Sequence, residues 1–367
     1  MIDTLATVTD LARDLVAIDS RSFVSNMAVA ERIEAALPDF DIERLDYTDA
    51  AGVGKRALVA ARGGGGGLAL SGHMDTVPDT GWREDPWSAR VDGDTLHGLG
   101  STDMKGPVAA LIVAARTLPP SVPITLLITT DEETTKQGAR TIVERSALAR
   151  RMRPKGIVVA EPTGMVPVRG HRAQIAFTCE APGIQAHSST GRGENANWKL
   201  IPFMTEMRAL FDRLRSDVSL QDAAYDPPFS DFNPVIDNHG TATNVTVPLA
   251  TARIKFRYSA SIDPAPIIAA VREAGGRHGV TVRDYREGEP PELPTDHPLI
   301  RLAVEVARAG PMTAPYGTDA SVLQELAPCV VLGPGDIGVA HTPTEHASLR
   351  ALAASVPVFI RLAERLA

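Results

Sequence analysis

Short uninterrupted apolar runs alternate along the chain with segments whose apolar residues recur at helical spacing. The runs are KRALVAAR (55–62), LALSG (68–72), PITLLITT (123–130), GIVVA (156–160) and, near the C-terminus, CVVLG (329–333). Leu5, Val8, Leu11, Leu15 and Ile18 mark the inner face of one helix, residues 27–37 form a second, and Pro107 opens VAALIVAARTL with proline in its favoured first turn. Continuous runs separated by helices predict an α/β fold with a mostly parallel sheet covered on both faces. The five glycines 63–67 predict a hairpin connection between KRALVAAR and LALSG, since they supply turn conformations and no side chain to pack. They are not a phosphate loop, because neither Gly-x-Gly-x-x-Gly nor a following Gly-Lys-Ser/Thr is present.

A different pattern occupies the long stretch between Glu161 and His341. It predicts a strand at 171–181, a helix at 194–215, strands at 241–247 and 251–261, a helix at 264–278 and a strand at 280–285. That β-α-β-β-α-β order predicts an inserted ferredoxin-like domain. Leu200, Phe203, Met204, Met207, Leu210, Phe211 and Leu214 form its helical core stripe. Residues 1–168 and 288–367 then make one domain and 169–287 the insert, with the proline-rich stretch 287–298 leading back.

Composition narrows the class. The 367 residues are 44% hydrophobic, enough for two packed cores, and the formal net charge of −8 comes from interspersed charges without a basic cluster. Nucleic acid is therefore not an expected partner. The acid-containing N-terminal stretch is an amphipathic helix rather than a signal peptide, and no membrane span is expected. Two cysteines, Cys179 and Cys329, stand far apart in apolar contexts, the pattern of buried thiols in a cytoplasmic protein.

The chemistry lies just beyond the runs. LALSG is followed by His73 and Asp75, PITLLITT by Asp131, Glu132 and Glu133, GIVVA by Glu161, and CVVLG by a loop reaching His341. In open α/β sheets, ligands bind beyond the carboxyl ends of the strands. With Asp103, these residues form a mixed imidazole and carboxylate set suited to zinc, cobalt or manganese. They are too many for one ion and suit two, with one carboxylate bridging.

SGHMDTVP, GLGSTDMKGP, TTDEET, VVAEPTG, AHSS and LGPGDIGVAHTPTEH resemble, in order, the motifs of the dinuclear zinc deacylase and peptidase superfamily. Its members include acetylornithine deacetylase, succinyl-diaminopimelate desuccinylase, aminoacylase and glutamate carboxypeptidase. VRGHRA and LGPGDIGVAHTP most resemble the acetylornithine deacetylase group, although Ala173 stands where that group has glycine. The resemblance implies that Asp103 bridges two divalent ions, zinc or cobalt. His73 and Glu161 complete one metal site, Glu133 and His341 the other. It further implies that Glu132 takes a proton from the attacking water, that Asp75 braces His73 by accepting its free ring N–H, and that His187 reaches the partner site of a homodimer formed through the insert. Asn244 and Arg257 match positions that hold the substrate carbonyl or carboxylate. His346 competes with His341 as terminal ligand, and the motif favours His341.

The implied activity is hydrolysis of the amide bond of an N-acyl amino acid, N-acetylornithine first, as in arginine biosynthesis. A succinyl-diaminopimelate desuccinylase or a glutamate carboxypeptidase-like peptidase is the alternative, and a non-catalytic metal-binding scaffold the second. Asp319 either meets the cationic end of ornithine or caps a helix beginning near Ala320.

Overall fold

The computed structural model describes residues 3–367 and places four of the apolar runs side by side. In spatial order they are Ile124–Thr129, Leu68–His73, Gly156–Val159 and Cys329–Val331. These four strands are mutually parallel, so their carboxyl ends share one edge. Leu68–His73 and Ile124–Thr129 are buried at every position, which is why their sequences do not alternate. Gly54–Arg62 continues the sheet antiparallel to Ile124–Thr129, and Asp41–Thr48 pairs antiparallel beyond it.

Helices Thr4–Val16, Lys105–Thr117 and Leu349–Leu366 pack on one another, and the last two also meet Leu68–His73. Val8, Leu11 and Leu15 point into this core as the spacing predicts, each fully buried aliphatic side chain contributing about 1.5–3 kcal/mol. Leu5 instead stays 41% exposed, and Ile18 lies beyond the helix end, partly buried against the core. Helix Gln137–Arg145 contacts Gly54–Arg62 and Ile124–Thr129.

The glycine run does not form a hairpin. Ile124–Thr129 lies between the two strands it joins, and the run crosses over the start of that strand. Gly63 and Gly67 adopt φ of +83° and +73°, and a Cβ at Gly67 would lie 2.2 Å from the Pro123 carbonyl oxygen. Absent side chains are what let the crossing fit.

By internal packing the chain divides into Met1–Gly170, Pro291–Met312 and Thr318–Ala367 as one unit, and His171–Pro290 with Thr313–Gly317 as the other. The sequence reading sets the borders at 168 and 288 and leaves Thr313–Gly317 in the first unit. In the second unit an antiparallel sheet has the order Asp231–Asp237, Leu249–Tyr258, Ala173–Pro182, Thr281–Arg286. Helices Asn197–Ser216 and Ala265–His278 complete a ferredoxin-like α+β unit. Leu200, Phe203, Met207, Leu210 and Leu214 are buried in its core, with Met204 and Phe211 packed at the margin.

The strand expected at 241–247 lies instead at Asp231–Asp237, while 241–247 is a loop in which Val245 makes one isolated bridge to His187. Pro234 hides this strand from pattern reading. It is tolerated because the strand is at the sheet edge.

Gly67→Ala is expected to destabilise the fold by at least about 1 kcal/mol, because its backbone is left-handed and the carbonyl in its way cannot retreat. Gly64→Ala, with open space around it, should stay within about 0.5 kcal/mol of wild type. Urea unfolding of the two variants measures the contrast.

Candidate metal centre

Side chains from four strand ends and the turn before helix Lys105–Thr117 meet at the shared edge. His73 closes its strand, buried at 1% exposure. Its Nδ1–H donates to the backbone carbonyl of Asp75 at 3.0 Å, which aims Nε2 at Asp103 Oδ1, 2.9 Å away. The other Asp103 oxygen, Oδ2, lies 3.2 Å from His341 Nε2. Asp103 therefore stands between two imidazoles, one oxygen toward each. Glu161 Oε1 is 3.9 Å from His73 Nε2, and Glu133 Oε1 is 2.9 Å from His341 Nε2. Donor atoms of His73, Asp103 and Glu133 all fall within 4.8 Å of one another.

The arrangement sorts itself into two half-sites that share Asp103: His73 with Glu161, and His341 with Glu133. Nitrogen and carboxylate oxygens at this spacing fit two transition-type divalent ions and are poorer in oxygen than a calcium site. His346, the competing histidine, turns away. Its Nδ1 is engaged by the Thr344 carbonyl, and its ring faces His97 on the neighbouring strand with centroids 6.0 Å apart.

Asp75 accepts the His73 ring N–H, chiefly through its main chain. Its backbone carbonyl holds the ring at 3.0 Å, while its carboxylate stands 3.5 Å from the same Nδ1 and takes further donors. It accepts Ser22 Oγ–H at 2.7 Å and the backbone N–H groups of Glu132 and Glu133 at 3.2 and 3.3 Å. One residue thus aims the histidine with its main chain and anchors the paired glutamates with its side chain.

That glutamate loop is also held from behind by Asp131, whose backbone is left-handed at φ +59°. Tyr47 donates to Asp131 Oδ2 at 2.7 Å, and buried Lys55 Nζ lies 3.1 Å from Oδ1. Glu132 itself faces Lys136 Nζ at 3.8 Å, and Lys136 is fixed by the Thr318 carbonyl at 2.9 Å. Glu345 accepts the N–H groups of Thr102 and Asp103 through Oε1, at 2.9 and 3.0 Å. None of Tyr47, Lys55, Lys136 or Glu345 is singled out by the sequence reading. The available signal for Glu345 is its place between two histidines in AHTPTEH.

Electrostatics here reflect so many acids out of water. Burial pushes the Glu132 and Glu161 carboxyls well above the ordinary range, and Glu133 upward, in each case reinforced by neighbouring carboxylates. Asp103 goes the other way: burial would raise it, but its hydrogen bonds to His341 and His73 hold it below the usual carboxylate value. The bond to Asp103, with that to Glu133, carries His341 up to about 11. Burial moves Glu345 up to about 7 and Lys105, its buried neighbour in charge, down to about 7.

Asp319 does not meet the capping expectation. It is 1% exposed. Thr318 Oγ1 accepts the Ala320 N–H instead, which frees Asp319 to turn inward and accept Thr129 Oγ1–H. Three expected residues belong to the second unit. His187 is exposed, with Nδ1 accepting from Ser189 Oγ at 2.8 Å. Asn244 sits exposed in the 241–247 loop, and Arg257 Nη1 pairs with Asp231 Oδ2 at 2.6 Å.

Residues 69–365 match the model of peptidase family M20/M25/M40. The chain belongs to this family. Curated M20 relatives include the acetylornithine deacetylase of Myxococcus xanthus, 31% identical over 98% of both chains. That of Proteus mirabilis is 33% identical over 80% of this chain and 78% of its own. Among solved structures, an M20 metallo-carboxypeptidase from Sulfolobus solfataricus superposes with a TM-score of 0.74 at 14% identity, covering 99% of each chain. The aminopeptidase PepT of Bacillus cereus gives 0.71 at 19% identity, over 98% of each chain. Family membership makes the chain a metal-dependent amidohydrolase. Among the described residues, no helix is long and apolar enough to cross a membrane.

A divalent ion held by this cluster would displace protons, because His341, raised to about 11, and the raised glutamates would have to give theirs up. Metal affinity is therefore expected to rise with pH across neutrality. Calorimetric titration in buffers of different ionisation enthalpy should report proton release on binding.

Proposed function

We propose that the chain hydrolyses the amide bond of an N-acyl amino acid, N-acetylornithine first among the substrates, at a centre of two divalent ions, zinc or cobalt. The observation that carries the proposal is Asp103, whose two oxygens face separate histidines, each backed by its own glutamate. The choice of substrate rests on the acetylornithine deacetylase relatives, one of them similar from end to end.

In this reading His73, Glu161 and Asp103 would hold one ion, and His341, Glu133 and Asp103 the other. Such ions supply Lewis acidity, polarising an amide carbonyl and making water nucleophilic at neutral pH. Glu132 receives the proton of the attacking water on its carboxylate and returns it to the departing amine. Asp75 keeps Glu132 at its post through the main chain. Asn244 and Arg257 hold the substrate carbonyl or carboxylate, and His187, its Nδ1 occupied by Ser189, offers Nε2 to the oxyanion. A metal-binding scaffold has no use for a further glutamate beside the ligand pair.

His187 is proposed to act on the site of a second copy. Edge strand Asp231–Asp237 leaves Val235 and Ile236 exposed, and helix Asn197–Ser216 exposes Trp198 and Ile201. An open sheet edge beside apolar side chains suits a symmetric pairing of inserts.

The decisive test is a panel of acetylornithine, succinyl-diaminopimelate and a dipeptide offered to protein loaded with zinc or cobalt. Acetylornithine should give the highest kcat/KM, and hydrolysis of none of the three would sink the proposal. Glu132→Gln should keep its metal while turnover falls by roughly 10²–10⁴-fold. His341→Ala should lose metal and His346→Ala should not, as elemental analysis will tell. Protein carrying His187→Ala mixed with protein carrying Glu132→Gln should recover part of the activity once subunits exchange.

A further inference from the structure

The loop that brings His341 to the centre does a second thing four residues later. Glu345 turns its side chain inward to 1% exposure, and one oxygen, Oε1, accepts both the Thr102 N–H at 2.9 Å and the Asp103 N–H at 3.0 Å. A short turn, Glu345 N–H to the Thr342 carbonyl at 3.2 Å, fixes its distance from His341. Two bonds to main-chain carbonyls reinforce the join: Gly98 N–H donates to the Glu345 carbonyl at 3.2 Å, and Thr102 Oγ1–H to the His346 carbonyl at 2.5 Å.

Asp103 has a short side chain with two rotatable bonds, so the direction of its carboxylate follows its backbone. The two N–H groups held by Glu345 belong to Asp103 and the residue before it. Fixing them decides whether Oδ1 and Oδ2 straddle the gap between His73 and His341. His341 is itself exposed by half and carries a left-handed backbone at φ +60°, so it depends on the same loop for its place.

We propose that Glu345 is the positioning residue of the metal centre: by clamping the Asp103 turn to the His341 loop, it makes the bridging carboxylate and the terminal histidine arrive together. It touches neither metal nor substrate. The proposal rests on the dinuclear reading above and adds that the His341 half-site depends on an acceptor at position 345.

Titration of the metal-stripped protein with Co2+, followed by visible absorption, tests this without any substrate. Wild type should bind two ions. Glu345→Ala should weaken the second by about 10–100-fold, the usual cost of losing a residue that orients metal ligands. Glu345→Gln retains an oxygen that can accept both N–H groups and should bind close to wild type. Glu345→Asp keeps the charge but is one methylene short and should bind as poorly as the alanine variant. If Glu345→Ala does not fold, as judged by circular dichroism of the metal-free protein, the Gln and Asp pair still decides. Equal affinities for those two, or a folded Glu345→Ala with wild-type affinity for both ions, would overturn the proposal. Wild type that bound no ion would instead remove the metal centre itself, and this clamp with it.

Discussion

Carboxylates withdrawn from water set the terms for this structure. An isolated buried carboxylate is so unfavourable that it must be met by donors or opposite charge, and here several acids crowd one sheet edge. Asp75 is met by a serine and two peptide N–H groups, Asp131 by a tyrosine and a buried lysine, and Glu345 by two more peptide groups. Asp103 has two histidines. Much of the surrounding loop geometry, including the left-handed backbone at Asp131 and His341, serves to deliver those donors.

The four parallel strands make the delivery possible. Parallel strands with both faces covered are rigid and end at one edge, so residues far apart in sequence converge without long flexible arms. The ions these acids invite would complete the charge balance, and the hydrolytic reading comes from that balance joined to the family relationship.

Periodicity and the polar residues that close each apolar run make about half of this legible in the sequence. His73, the Asp131–Glu133 group and Glu161 are found that way because a buried strand announces itself and the residues at its end come next in the chain, while the choice of Glu133 and His341 comes from the family resemblance. Neighbour relations between strands are not written in periodicity, so the glycine run reads as a hairpin although Pro123 and its strand lie beneath it. Edge strand Asp231–Asp237 is hidden by Pro234, whose cost vanishes where no further strand pairs. At Asp75 the residue is legible but not the division of labour between its carbonyl and its carboxylate. At Asp319, Thr318 takes the capping bond, a competition between adjacent residues that sequence does not settle. Glu345 and Lys55 escape a motif search because their partners are peptide groups or an acid distant along the chain.

The contact between Glu345 and Thr102 joins residues 243 positions apart. Until the last strand and loop of the first unit are in place, the Asp103 turn has no clamp and His341 no position. Closing so long a loop is entropically costly, and a compact insert folded beforehand shortens the span that remains to be closed. During synthesis, a ribosome-bound chain that still lacks its C-terminal segment holds four of the five donor residues without the geometry to use them. On the proposed ligand set, metal capture would then await completion of the fold.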